Sequence, residues 1–291
     1  MRVLLTGATG FVGNMLLAQL GRHEVACLGR SRPTLLPEGV IWIDADLMLL
    51  EAGARKAIEE FAPECCVHLA WAGLPDYSLG WCLDNLCAGA KLFEFLREVG
   101  CKKIIGAGSC WEYGDCTGPV AESSIGAHVN LFATNKMALR EIGQSLLQAA
   151  DLQFIWTRIF FVYGMRQRPT SLIPSVIRAL MLGETPKIGT PSAVNDFIHV
   201  QDVALALLCL IESEDARGIY NIGSGVPASV ADVVNEIADQ TGRHRLYKDT
   251  GSNKALGFWA DINRLHALGW TPGHTLKSGI SQVVTAWGAL E

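Results

Sequence analysis

The stretch "VLLTGATGFVG" sets Gly7, Gly10 and Gly13 between an apolar run and the helix-like "NMLLAQL". A turn this tight needs a residue that tolerates unusual backbone angles. Close approach of a pyrophosphate needs a residue with no side chain. The N-terminus of the following helix then offers free N–H groups and a positive dipole end to phosphates. Three spaced glycines carry little weight alone. Between a first strand and a first helix they predict a dinucleotide-binding βαβ unit, which restricts the chain to parallel α/β folds.

The end of the second strand separates two dinucleotides. An acid there would bind the adenosine ribose of NAD, but the position is Gly29, followed by Arg30, Ser31 and Arg32. A 2′-phosphate needs this change, with the acid removed and a guanidinium supplied. The expectation is NADP over NAD, with Arg30 as the contact. The other reading is that these arginines only solvate a surface loop.

The rest of the first half repeats the unit. "EVACLG", "VIWIDADL", "CCVHLA", "KKIIGAGS" and "LQFIWTRIF" read as strands, with helices near 51–61, 80–99 and 131–150. Apolar runs without polar alternation suit a parallel sheet buried on both faces. The alternation predicts a right-handed, doubly wound Rossmann sheet. After residue 164 the pattern loosens around Pro169, Pro174, Pro186 and Pro191. Helices are expected near 171–182 and 229–241, and short strands at "DFIHV" and "GIYNIG". The expected division is a Rossmann domain of residues 1–164 plus about 196–224, with a smaller, partly interleaved α/β substrate domain of 165–195 and about 225–291. The cleft between them is the default ligand site.

Composition excludes several classes. The chain has 24 basic and 29 acidic residues, a formal charge of −5 and no basic block, so nucleic acid is not an expected partner. The longest apolar runs, such as "VALALLCLI", are too short to span a bilayer. Nine cysteines, an odd number, with Cys65 and Cys66 adjacent and no signal peptide, predict free thiols in a reducing, cytoplasmic setting. No CxxC or HExxH spacing occurs, and no metal is expected.

Further segments follow the glycine turn in a telling order: "DADL", "VHLAWAG", Asn85 within the helix near 80–99, "GSCWEYG", "RIFFVYG", "SLIP", "NDFIHVQDVA", "YNIGSG" and "LGWTP". Over nearly its whole length the chain resembles the extended short-chain dehydrogenase/reductases of the nucleotide-sugar epimerase, dehydratase and reductase type. The resemblance implies a cofactor set of Gly7, Thr9, Gly10, Phe11, Val12 and Gly13 at the turn and Asp46 and Leu47 beside the adenine. It adds Leu69, Ala70 and Ala72 at a strand end, with Asn85, Lys136 and Phe160. It also implies a catalytic hydroxyl, tyrosine and lysine. Ser109 falls on the hydroxyl, Lys136 on the lysine and Phe132 on the tyrosine. Phenylalanine has no proton to give. Either the tyrosine has been replaced to hold substrate without turnover, or another donor works, with Tyr113, Cys110 and His128 the nearest in sequence.

The resemblance also bears on the reaction. Dehydratases of this type carry an Asp and a Glu directly after the hydroxyl. Here Cys110 and Trp111 stand there, and Glu112 comes one step late on what reads as a strand. A 3,5-epimerase cysteine is expected at Trp111 and is absent. This leaves an NADPH-dependent reductase of a nucleoside-diphosphate 4-keto-6-deoxy sugar, favoured by Arg30, with a nucleotide-sugar 4-epimerase as the alternative. A reading of another class is a non-catalytic NADP-binding sensor or scaffold, against which the retained Ser109 and Lys136 argue. Phe161 and Asn195 replace the asparagine and arginine usual for the substrate. They join Cys110, Trp111, Arg166 and Arg178 as the expected substrate contacts, with Arg168 a further diphosphate candidate. Helices near 80–99 and 131–150 carry more apolar surface than one sheet face needs, which predicts a C2 homodimer.

Overall fold

The computed structural model describes residues 1–147, 152–248 and 257–288. Its first half runs β1 (Arg2–Thr6), α1 (Phe11–Gln19), β2 (Glu24–Gly29), β3 (Ile41–Asp44), α2 (Ala52–Phe61), β4 (Cys65–His68), α3 (Leu79–Glu98), β5 (Lys103–Ser109), β6 (Gly118–Val120), α4 (Leu131–Leu147) and β7 (Gln153–Ile159). The second half runs β8 (Phe161–Tyr163), α5 (Leu172–Met181), β9 (Val194–His199), α6 (Val200–Glu212), β10 (Gly218–Ile222), β11 (Pro227–Ser229), α7 (Val230–Gln240), β12 (Phe258–Ala260), α8 (Asn263–His266) and α9 (Leu276–Gly288). The end of the helix expected over 131–150 lies outside the described residues.

Seven strands form one parallel sheet in the order β10-β7-β5-β4-β1-β2-β3. This is the doubly wound α/β arrangement expected from the alternating elements. Each face is covered. Leu5, Leu16, Ile105 and Leu207 belong to one apolar cluster, and Leu4, Ile58, Leu92 and Ile104 to another. Neighbours along β1 and β5 thus fall into opposite clusters, as period-two alternation requires. Lys103 is a buried cation in an apolar strand. Its ammonium donates to the carbonyls of Leu210, Ile211 and Ser213 and caps the end of α6.

Three departures from the sequence reading shape the site. β4 stops at His68, so Leu69–Ala72 leave the sheet at its C-terminal edge. "LQFIWTRIF" splits at Phe160, whose N–H donates to the Ile222 carbonyl, and β8 then pairs with β9 in a second sheet that also holds β11. Cys110–Tyr113 form a 3-10 turn rather than more strand. Ser109 accepts a hydrogen bond from the Trp111 N–H, and Glu112 reaches back to the Ser109 N–H. This reciprocal cap ends β5 and sets the direction of every side chain in the turn.

Candidate functional site

The C-terminal ends of β1, β4, β5 and β7 open onto two joined cavities, where doubly wound sheets place ligands. The first, about 480 Å³, is lined by Gly7, Thr9, Gly10, Phe11, Val12, Gly13, Arg30, Asp46, Leu47, Leu69, Ala70, Ala72 and Asn85. The second, about 620 Å³, is lined by Ser109, Cys110, Trp111, Phe132, Lys136, Phe160, Phe161 and Asn195. Leu69, Trp71, Leu74, Gln167 and Ser171 line both and form the junction.

The first cavity has the cradle a dinucleotide requires. Gly7 has φ +77°, and a Cβ there would lie 2.8 Å from the Ala70 nitrogen. The turn therefore needs glycine to reach the end of β4. Below it, Thr6 Oγ1 meets His68 Nδ1 at 2.9 Å and accepts from the Ala70 N–H at 3.2 Å. Burial, with Lys136 nearby, holds the His68 pKa down at about 3, so the imidazole is neutral. Asn85 has both ends of its amide committed. Its Oδ1 accepts from the Ala72 N–H at 2.7 Å, and its Nδ2 donates to the Ala72 and Trp81 carbonyls. It fixes the loop that borders the cavity.

In the second cavity Lys136 donates to the Ala107 carbonyl at 2.7 Å, and its ammonium lies 3.9 Å from the centroid of the Trp71 ring. Burial lowers its pKa from 10.5 to about 7, partly offset by the Glu112 charge. Phe132, one turn earlier on α4, faces the same space, with its ring 5.6 Å from the Lys136 ammonium. Trp71 and Tyr77 meet Phe132 edge to face at 5.1 Å each, and Trp111 does so at 5.8 Å. Four aromatic rings thus wall the space beside Ser109. At the junction, Trp71 Nε1 and Gln167 Oε1 are buried without a hydrogen-bond partner. A donor and an acceptor left unpaired at the meeting of two cavities are groups a ligand can satisfy.

The donors nearest in sequence to Phe132 are distributed differently. Tyr113 is buried and donates to Asn221 Oδ1 at 2.6 Å, and burial raises its pKa to about 12. It lines neither cavity. His128 is solvent-exposed, 3.9 Å from Asp115, and also lines neither. Cys110 lines the second cavity, but burial pushes its thiol pKa up. Glu112 is turned into the interior, where it accepts from Trp156 Nε1, Arg140 and Arg158. It is absent from the cavity because the 3-10 turn, not strand alternation, directs it inward.

Arg166 and Arg178 are exposed and line neither cavity, whereas Arg168 lines the first. Phe160 turns its ring inward, onto Tyr113 and Phe258. Sequence reasoning passed over Trp71, Tyr77 and Gln167. Trp71 stands between two residues of a named segment, and its size alone was a signal. Tyr77 and Gln167 sit in loops with no period to mark them. All nine cysteines are free. Among the described residues no group of three or more His, Cys, Asp and Glu side chains could hold a metal, and no helix is long and apolar enough to cross a membrane.

A sequence profile of the NAD dependent epimerase/dehydratase family matches residues 3–223. The chain is 27% identical to the dTDP-4-dehydro-6-deoxyglucose reductase of Escherichia coli, over 97% of this chain and 96% of that one. It is 28% identical to the UDP-glucose 4-epimerase of Corynebacterium glutamicum, over 94% and 92% of the two chains. Among solved structures, MoeE5 in complex with UDP-glucuronic acid and NAD superposes with a TM-score of 0.84 at 28% identity, covering 100% of both chains.

Proposed function

This chain belongs to the NAD dependent epimerase/dehydratase family, and on that premise we propose that it is an NADPH-dependent reductase of a 4-keto-6-deoxy sugar carried on a nucleoside diphosphate. The observation that carries the reading is the meeting of Ser109, Phe132 and Lys136 on one cavity that opens into the cradle of the glycine turn. A nicotinamide dinucleotide, when bound, supplies the hydride. Gly7, Gly10 and Gly13 admit its pyrophosphate, Asp46 and Leu47 its adenine end, and Lys136 its nicotinamide ribose. Ser109 donates to the sugar carbonyl and polarises it.

The choice of NADP rests on the end of β2. A Cβ at Gly29 would lie 2.9 Å from the Trp42 ring, which is held by a 2.7 Å bond from its Nε1 to Asp44. An acid at that position would collide with this wall. Arg30 is exposed and lines the first cavity, which supports a contact to a 2′-phosphate. For the sugar, the rings of Trp71, Tyr77, Trp111 and Phe132 offer apolar faces to a deoxy carbon and to ring C–H bonds. Arg168 lines the first cavity beside the junction residue Gln167 and is the guanidinium we assign to a diphosphate. Gln167, Ser171, Leu172, Ile173 and Asn195, from the segment 165–195, supply the far wall of the second cavity.

A second reading, a 4-epimerase that retains NAD, draws on the likeness to MoeE5, whose structure holds NAD. The test is to mix the protein with NADPH and a dTDP- or UDP-linked 4-keto-6-deoxyhexose and follow nicotinamide absorbance. The reductase consumes NADPH in step with the ketone. Interconversion of UDP-sugar epimers without net consumption would replace this reading with the second.

A further inference from the structure

Phe132 leaves the second cavity without the usual phenol, yet a phenol lines that cavity. The chain has five tyrosines. Tyr113 is spent on Asn221, and Tyr220 is buried under the Arg264 guanidinium. Tyr247 packs on the apolar cluster of α5 and α7. Tyr163 reaches the second cavity, but it is 1% exposed and its hydroxyl points to the Thr275 carbonyl at 3.5 Å. Tyr77 lines the same cavity, its ring touches Phe132 and Trp111, and among the described residues its hydroxyl has no protein partner. It is 38% exposed, so water reaches it.

The loop that carries Tyr77 is tied down at both ends. Gly73 has φ +87°, and a Cβ there would lie 2.5 Å from the Trp81 ring, so only glycine lets the loop seat on α3. Asp76 Oδ1 accepts from the Ser78 N–H at 2.8 Å, and the Cys82 thiol donates to the Tyr77 carbonyl at 3.6 Å.

We infer that Tyr77 is the proton donor to the substrate oxygen, taking the role that Phe132 cannot fill. The inference rests on the reductase reading above. The phenolic O–H bond breaks as the alcohol O–H bond forms on the former carbonyl oxygen. The electron pair of the new C–H bond comes from the reduced nicotinamide dinucleotide, and the phenolate regains a proton from water at its exposed edge. Of the other protic side chains on this cavity, Cys110 is 3% exposed and its burial weakens the thiol as an acid, while the Lys136 ammonium is held by the Ala107 carbonyl at 2.7 Å and by the Trp71 ring.

Tyr77→Phe is the direct variant. Turnover is expected to fall by about 10²–10⁴-fold, the range for one positioned proton donor, while KM and NADP affinity hold. Phe132→Tyr in the Tyr77→Phe background should restore turnover, because it returns a phenol one turn from Lys136. Retention of wild-type kcat within about threefold by Tyr77→Phe, well short of that range, overturns the inference. A second readout is independent of turnover. With ¹³Cζ-tyrosine labelling, the resonance lost in Tyr77→Phe should move when NADP and the product sugar nucleotide are added together. If it stays still in an active enzyme, the inference is overturned. A wild-type chain that consumes no NADPH defeats the reductase reading instead, and the Tyr77 resonance then reports separately whether the phenol meets the ligand.

Discussion

The Lys136 ammonium sits 3.9 Å from the centroid of the Trp71 ring. A cation so placed gains from the ring's negative face but has lost nearly all its water. Desolvation wins, and the pKa falls from 10.5 to about 7. Below about 7 the folded and unfolded chains both carry the charge, and its burial counts fully against folding. Between about 7 and 10.5 the unfolded lysine keeps a proton that the folded one has shed, so stability rises with pH across that window. Lys136→Met removes the effect. Urea unfolding of both proteins, at a pH just below and a pH well above this folded value, should show the wild type gaining on the variant as pH rises. Cysteine ionisation cancels in the difference. A gap that does not change with pH would contradict the burial of a titrating ammonium.

Arg30 gives a selective test of the cofactor. A hydrogen bond to a charged group is worth about 1.5–3 kcal/mol, so Arg30→Ala should weaken NADP binding about 10–100-fold at roughly 1.4 kcal/mol per tenfold. NAD binding should not move. Calorimetric titration of both dinucleotides measures this. An equal loss for NAD and NADP would mean that Arg30 supports the loop rather than the 2′-phosphate.

Glu112 gives a test of the architecture under Ser109. Its side chain is fully buried, and Arg140 and Arg158 each approach one of its oxygens at 3.1 Å. Glu112→Gln leaves the buried Arg158 guanidinium without a carboxylate partner and leaves Arg140 only Glu141, at 2.6 Å, a loss expected to cost about 3–5 kcal/mol. The urea midpoint should drop with an unchanged slope. A change within about 0.5 kcal/mol, the size of an ordinary surface substitution, would show that the network is not structural.

The outer face of α3 carries Leu79, Leu83 and Cys87, all exposed, and Leu131 is exposed at the start of α4. The first three are spaced four apart and so share a stripe. A C2 dimer through α3 and α4 would cover them. Sedimentation at micromolar concentration should give twice the chain mass, and Leu83→Glu should return the monomer mass. A wild type that already sediments as a monomer would rule this out.

Legibility in the sequence divided along the site. Gly7 was legible from the order strand, glycine turn, helix, and Asp46, Ala70 and Asn85 through the resemblance of their segments; all four line the first cavity. Arg166 and Arg178 were named for their charge alone. Arg166 has φ +68° in a turn and Arg178 lies on the solvent side of α5, so neither reaches the cavities. Glu112 read as a strand residue because "GSCWEYG" continues an apolar run. The serine–glutamate cap that turns it inward is a contact three residues long, visible only when the end of β5 is known. Tyr77 has no period or motif, and only the path of the loop over Trp81 brings it to Phe132.

The central claim is that hydride passes from NADPH to the sugar and stays there. The measurement is turnover with NADPH deuterated at its transferring position and a nucleotide-linked 4-keto-6-deoxyhexose, followed by mass spectrometry of the sugar product. The reductase account predicts a product alcohol that carries one deuterium at the former carbonyl carbon, with one NADP formed per molecule. An unlabelled product, with epimers interconverting and the dinucleotide unchanged, would contradict it.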